Sequence, residues 1–167
     1  MLDGQKDGTI LKIYASSDHA GFNLRKALVK NLRDRGLDVD DRGPENPDPL
    51  DYPDEAGKVG RLVRDHAGSR GLLVCGSGIG MCMAANRIGG VRAVDAWSTE
   101  SARLSRAHND ANVLCLGARL LSDADAGRIV DVWLSTPFDG GRHAVRVAKM
   151  DQKTDQKTDQ VDPEGAS

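Results

Sequence analysis

Short apolar runs alternate with longer segments of helical periodicity along the first 150 residues. Five runs predict strands: TILKIYASS, LDVDDRG, GLLVC, VRAVDAW and NVLCLG. The segments that predict helices are GFNLRKALVKNLRDRG, residues 53–66, MCMAANRI, TESARLSRAH, DADAGRIVDVWLS and a short GGRHAVRVAKM. Because strands and helices alternate, the pattern predicts an α/β fold with three layers. In it, a parallel sheet of about five strands lies between helices on both faces.

The two ends of the chain lack this pattern. Residues 1–8 are predominantly polar, and residues 151–167 contain the repeat DQKTDQKTDQ, which has no apolar side chain. Segments of this kind bury too little to offset their ordering entropy. The pattern therefore predicts a flexible leader at 1–8, one domain at 9–150 and a disordered tail at 151–167.

Candidate chemistry lies where the predicted strands end, because open parallel sheets bind ligands beyond the carboxyl ends of their strands. Asp18 and His19 follow the first strand, and Cys75 to Gly80 follow the third. The loop GPENPDPLDYP after the second strand is too long for a mere connection. Loops of that kind often carry function.

Composition narrows the class of partner. The formal net charge of −2 gives no basic field for nucleic acid or a membrane surface. No apolar run approaches the roughly 18 to 20 residues of a membrane span, and the start of the chain is not signal-like. The three cysteines form no C-x-x-C pair, which argues against a disulfide framework and a structural zinc site. We expect a cytoplasmic protein that acts on a small molecule.

The glycine turn after Cys75 admits several interpretations. Gly76, Gly78 and Gly80 allow a tight turn whose N–H groups converge at a helix N-terminus, which suits an anion, although simple tight packing would also explain them. A dinucleotide fingerprint would need glycine where Met81 stands. A cysteine-dependent phosphatase loop would need arginine at the same place, to hold the phosphoryl oxygens.

A thiol beside a nest of amides suits proton abstraction next to a carbonyl. Directed N–H groups stabilise a thiolate, which can act as a general base while the same amides hold the enediolate oxygen. The alternative is that Cys75 is only a buried residue at a strand end. Cys82 and Cys115 lie among apolar neighbours, and we assign both to core packing.

Two further groups of polar residues lie near the end of the domain. Arg142 and Arg146 are four apart at the start of a predicted helix, so both guanidinium groups can face one phosphate, unless they are merely a solvated helix face. His108 and Asn109 end another helix at the entrance to the fifth strand, where a histidine suits acid–base work or simple capping. His143 has less polar company, although it adjoins the arginine pair.

Six linked motifs carry a family resemblance. SSDHAGF, DYPD, CGSGIGMCMAANR, VRAV, SRAHNDANVLCLGAR and GGRHAVRV occur in this order over residues 10–150. In order and spacing they resemble the ribose-5-phosphate isomerase B family, which also includes galactose-6-phosphate and allose-6-phosphate isomerases. Some members use a glutamate at the position of Met81, so a chain with Cys75 resembles the cysteine branch.

The resemblance implies a role for each matched position. Cys75 would move a proton between C2 and C1 of the open-chain sugar, His108 would open the furanose ring, and Ser77 would supply a hydroxyl beside the base. The substrate-binding residues would be Asp18, His19, Tyr52, Gly76, Gly78, Ile79, Gly80, Asn109, Arg119, Arg142 and Arg146. Among these, the glycine turn would hold the enediolate, and Arg142 and Arg146 would hold the phosphate.

The resemblance also implies an assembly and a substrate. It implies a Rossmann-like homodimer with an active site shared between subunits, paired into tetramers in some members, and without metal or organic cofactor. Ribose 5-phosphate and ribulose 5-phosphate are the favoured pair. The loop GPENPDPLDYP leaves allose 6-phosphate, galactose 6-phosphate and tetrose phosphates as alternatives. The other hypotheses are a phosphosugar-binding module without turnover and a nucleotide-binding oxidoreductase domain.

Overall fold

The computed structural model describes residues 11–158, and it contains the alternation predicted above. The elements are β1 (Lys12–Ser17), α1 (Phe22–Asp34), β2 (Asp38–Asp41), α2 (Tyr52–Asp65), β3 (Arg70–Cys75), α3 (Ile79–Ala85), β4 (Ala93–Asp95), α4 (Thr99–Asn109), β5 (Val113–Gly117), α5 (Asp123–Ser135) and α6 (Arg142–Thr158). The predicted α/β class is confirmed. Among the described residues, no helix combines the length and hydropathy needed to cross a bilayer.

The five strands form one parallel sheet in the order β2-β1-β3-β5-β4. From β1 the chain moves outward to β2, and it then returns to place β3 on the other side of β1. The connections that leave β1 and β3 therefore diverge, which opens a crevice at the carboxyl ends of these two strands. Strand order thus places Asp18 and Cys75 at the two sides of one crevice.

Helices cover both faces of the sheet, as predicted. One buried cluster joins the sheet to α1 and α5 through side chains such as Leu28 and Trp133, and the other joins it to α2 and α3 through Val59 and Met81. β5 is buried along its whole length, as expected for an inner parallel strand. The sheet is therefore packed on both faces, which fixes the position of its carboxyl edge.

The last helix differs in length from the prediction of a short element. α6 continues to Thr158, beyond the predicted domain end at residue 150. Asp151 forms an ion pair with Arg92 at 3.2 Å, which ties this part of α6 to the start of β4. The predicted leader and the remainder of the predicted tail lie outside the described residues.

Candidate active site

Cys75 ends β3 at the base of the glycine turn, where it is 4 % exposed. The backbone N–H of Gly78 donates to its Sγ at 3.1 Å. Gly78 has φ of +82°, and a methyl group there would collide with the Asp95 carboxyl group. At Gly117 a methyl group would lie 2.7 Å from the Ser77 carbonyl oxygen. The turn can therefore fold back over its own thiol only because these two positions are glycine.

The turn forms the floor of an open cleft of about 520 Å³. Its lining contains most of the residues predicted for the first part of the site, and it adds two apolar ones, Met83 and Leu120. The lining residues are Asp18, Tyr52, Cys75, Gly76, Ser77, Ile79, Gly80, Met83, Arg119 and Leu120. A polar floor with an apolar rim suits a small polar ligand.

Three elements bring polar side chains to this cleft. Asp18 directly follows β1, is 6 % exposed, and accepts a hydrogen bond from the Gly21 N–H at 2.9 Å. Tyr52 begins α2 with its ring against Gly80, 2.7 Å from the position of a methyl group there. The backbone N–H of Arg119 donates to the Gly76 carbonyl at 3.0 Å and so pairs the two loops. The Arg119 guanidinium lies over Gly76. His19 is exposed beside Asp18 but does not line the cleft.

The groups beneath the turn are partly or fully buried. Burial raises the pKa of the Asp95 carboxyl group at the end of β4. Cys115 is fully buried, which confirms its assignment to the core, and burial raises the pKa of its thiol. Cys82 is only partly buried against that core, and a hydrogen bond with Cys115 lowers its pKa. Cys75 is thus the thiol that lines the cleft.

The remaining predicted residues lie at the opposite edge of the sheet. α4 ends at Asn109, and Asp110 then takes a left-handed conformation with φ of +46°. The Asp110 carboxylate pairs with Arg92 at 2.9 Å, just before β4 begins. Asn112 in the same connection accepts from the Gly71 N–H at the start of β3, at 2.8 Å. His108 and Asn109 therefore lie by the amino ends of the strands, whereas Cys75 lies at the carboxyl end.

α6 brings the arginine pair to that amino edge. It begins at Arg142 and packs against α4, and the Asp139 N–H just before it donates to the Ala107 carbonyl at 3.0 Å. His143 stacks on His108 with ring centroids 4.3 Å apart. Partial burial lowers the pKa of His143, and the charges of His108, Arg142 and Arg146 lower it further.

In the sequence, His143 was noted beside the arginine pair without being given a role, and Asp139 was not singled out. The adjacency of His143 to Arg142 in GGRH was the available signal. The structure thus divides the predicted site into two groups within one chain. The cleft holds one group, and the α4–α6 cluster, defined here as His108, Asp139, Arg142, His143 and Arg146, lies near Asn109 at the other edge.

Comparison with known proteins identifies the family. The family described as Ribose/Galactose Isomerase matches residues 13–150, which reach from β1 into α6. The chain belongs to this family.

Several members are close in sequence and structure. The chain is 43 % identical to "Ribose-5-phosphate isomerase B" of Escherichia coli strain K12 over 136 residues, which cover 81 % of this chain and 91 % of that protein. A Clostridium thermocellum ribose-5-phosphate isomerase B structure superimposes with a TM-score of 0.86 at 41 % identity, covering 88 % of this chain and 99 % of that one. The Mycoplasma genitalium ribose-5-phosphate isomerase B with bound ribulose-5-phosphate matches with a TM-score of 0.85 at 39 % identity, covering 87 % and 97 %.

Proposed function

We propose that this chain is an aldose–ketose isomerase that interconverts ribose 5-phosphate and ribulose 5-phosphate. The observation that carries the proposal is the Cys75 thiol, which lines the cleft and accepts the Gly78 N–H at 3.1 Å. Membership of the ribose/galactose isomerase family supports the reaction class. The ribulose-5-phosphate bound to the Mycoplasma genitalium relative supports the choice of sugar.

Proton transfer is the central step. The Cys75 thiolate takes the proton from C2 of the open-chain aldose, and negative charge develops on the O1 oxygen. The O2 hydroxyl proton then passes to O1, and the same thiol returns its proton to C1, which leaves the C2 carbonyl of the ketose. The N–H groups of the glycine turn, with Ser77 beside them, stabilise the O1 oxygen in the transition state. Asp18, Tyr52, Ile79 and Arg119 line the cleft and hold the sugar around this centre. The exposed His19 reaches the sugar from its position beside Asp18.

Ring opening requires a second residue on the same sugar. His108 takes the proton from the O1 hydroxyl of the furanose, the C1–O4 bond breaks, and His108 gives the proton to the released O4 oxygen. Arg142 and Arg146 hold the phosphate. A base must lie within about 2.6–3.2 Å of the proton it removes. β3 and β5 stay in register from Gly71 to Cys75, and four steps of about 3.3 Å separate the two edges by roughly 13 Å.

Such a separation supports a shared active site in a homodimer. One small sugar cannot contact Cys75 and His108 of one chain at opposite edges of the sheet. A two-fold axis brings the α4–α6 cluster and Asn109 of a second copy over the cleft of the first. The exposed apolar residues Ile79, Met83 and Leu120 around the cleft suit burial in such an interface.

Two further parts of the proposal concern the extent and the location of the enzyme. Residues 9–150 form the catalytic domain, and the segment after residue 150 lies outside the catalytic machinery. The cytoplasm, where thiols are kept reduced, suits a mechanism that needs a free Cys75.

A substrate panel tests the function. Purified protein is incubated with ribose 5-phosphate, allose 6-phosphate, galactose 6-phosphate and a tetrose 4-phosphate, and ketose formation is followed by NMR. We expect the highest kcat/KM with ribose 5-phosphate, and almost none for the Cys75→Ser variant, which should still bind the sugar. Binding without ketose formation from any of these sugars would instead favour a phosphosugar-binding module.

A further inference from the structure

The α4–α6 cluster contains an aromatic contact that the mechanism above does not use. The rings of His108 and His143 lie 4.3 Å apart between centroids, with only 3° between their planes. Asp139 lies at the edge of the pair, with its Oδ2 4.0 Å from His108 Nε2. The Asp139 N–H donates to the Ala107 carbonyl at 3.0 Å and so holds this loop against the last turn of α4. The three side chains therefore form one local unit.

A metal site is one interpretation of this unit, since ligand atoms of His108, Asp139 and His143 lie within 4.8 Å of one another. The geometry and charge oppose it. Two parallel rings direct their nitrogen lone pairs along parallel planes rather than toward one ion. Arg142 and Arg146 lie close enough for their positive charges to lower the pKa of His143, and the same charges would repel a dication.

The orientation of His108 is the property that the stack can control. The His108 side chain is 40 % exposed, and its 4.0 Å contact with Asp139 is too long for a hydrogen bond. A base must nevertheless keep its lone pair aimed at the proton it removes. A flat ring stacked on the imidazole fixes the plane in which that lone pair lies.

We propose that His143 is a positioning residue, whose ring holds the His108 imidazole in the plane required for ring opening. This inference rests on the proposed function. It assigns His143 a role through its flat face, and it does not require the His143 nitrogens. It also predicts that His143 matters for the furanose and not for the open-chain sugar.

The chemistry of the two sugars separates these steps. Ribose 5-phosphate is mainly a furanose and must be opened before C2 can lose its proton. Ribulose 5-phosphate cannot close a furanose ring, because the O5 that would attack its C2 carbonyl carries the phosphate. Exchange of its C1 proton with solvent therefore reports proton transfer by Cys75 without ring opening.

The experiment compares His143→Ala, His143→Phe and the control Val145→Ala, whose side chain is 60 % exposed on the same helix. We expect His143→Ala to lower kcat on ribose 5-phosphate about ten-fold or more. His143→Phe restores the flat ring and should return kcat to within about three-fold of wild type. The remaining difference would reflect a smaller misalignment of the His108 ring. All three variants should exchange the C1 proton of ribulose 5-phosphate in D2O at the wild-type rate.

Three results would overturn the inference. If His143→Phe is as slow as His143→Ala, the residue acts through its nitrogens. If C1 exchange falls together with turnover, the residue supports binding or the fold in general. Failure of the wild-type chain to turn over ribose 5-phosphate would overturn the proposed function itself, whereas an active wild type with a fully active His143→Ala would overturn only the positioning role.

Discussion

The division of the site between two edges of the sheet predicts that two inactive variants restore activity when they share a dimer. Cys75→Ser removes the proton-transfer base, and His108→Ala removes the ring-opening base. In a two-fold dimer, each active site takes Cys75 from one subunit and His108 from the other. A mixed dimer therefore has one site with both substitutions and one site with neither.

The expected recovery follows from counting. Random mixing makes about half of the dimers mixed, and each mixed dimer has one intact site of two, so the mixture should reach about a quarter of wild-type activity. The premise is the edge-to-edge separation of roughly 13 Å, which comes from four strand steps of about 3.3 Å between the paired positions Gly71–Val113 and Cys75–Gly117.

The assay uses co-unfolding in urea and joint refolding, followed by ribulose 5-phosphate formation. A matched control mixes Cys75→Ser with Cys75→Ala, which offers no intact base in any dimer and should stay inactive. Activity of the first mixture no higher than that of its separately refolded components would refute the shared site. Cys75 and His108 would then have to act within one chain, against the separation described above.

Three further predictions concern other residues. Gly78→Ala should destabilise the fold by clearly more than Gly36→Ala and should abolish activity. Both glycines have φ of +82°, but only at Gly78 would a methyl group collide with Asp95. Urea unfolding should show a loss of about 1–2 kcal/mol for Gly36→Ala, and an equal loss for Gly78→Ala would argue against a close-packed turn. Burial raises the pKa of Asp95 above its ordinary value of 3.8, so its charge costs stability at neutral pH. Asp95→Asn should therefore raise the urea midpoint at pH 7, with the gain vanishing as pH falls below the unfolded-state value; an unchanged midpoint at pH 7 would count against this burial cost. Arg146→Ala should raise KM for ribose 5-phosphate by roughly 10- to 100-fold, as expected for loss of about 1.5–3 kcal/mol from a charged hydrogen bond. The control is Lys149→Ala, at an exposed position on the same helix. An equal rise in KM for this control would contradict a specific phosphate contact by Arg146.

Local pattern predicted much of the fold, because the relevant forces act over short stretches of chain. β5 is an unbroken apolar run since it is buried on both faces, and Gly36 follows α1 in the left-handed conformation typical of a helix end. The glycine turn after Cys75 was likewise predictable, because the Gly78 N–H that meets the thiol is only three residues away.

Contacts between distant segments could not be predicted in this way. The stack of His143 on His108 depends on how α6 packs against α4, which neither helix specifies alone. The extension of α6 past residue 150 has a similar origin, since Asp151 pairs with Arg92 far away in the chain. The sequence did not predict that Met83 and Leu120 line the cleft, because an isolated apolar residue has no pattern that marks it as part of a site.

The measurement that tests the central claim most directly is deuterium incorporation at C1 of ribulose 5-phosphate in D2O, followed by NMR. Proton transfer by Cys75 predicts rapid exchange with the wild-type chain, little or none with Cys75→Ser, and retained exchange with His108→Ala, which lacks only the ring-opening base. Exchange by Cys75→Ser at the wild-type rate would contradict the assignment of Cys75 as the base.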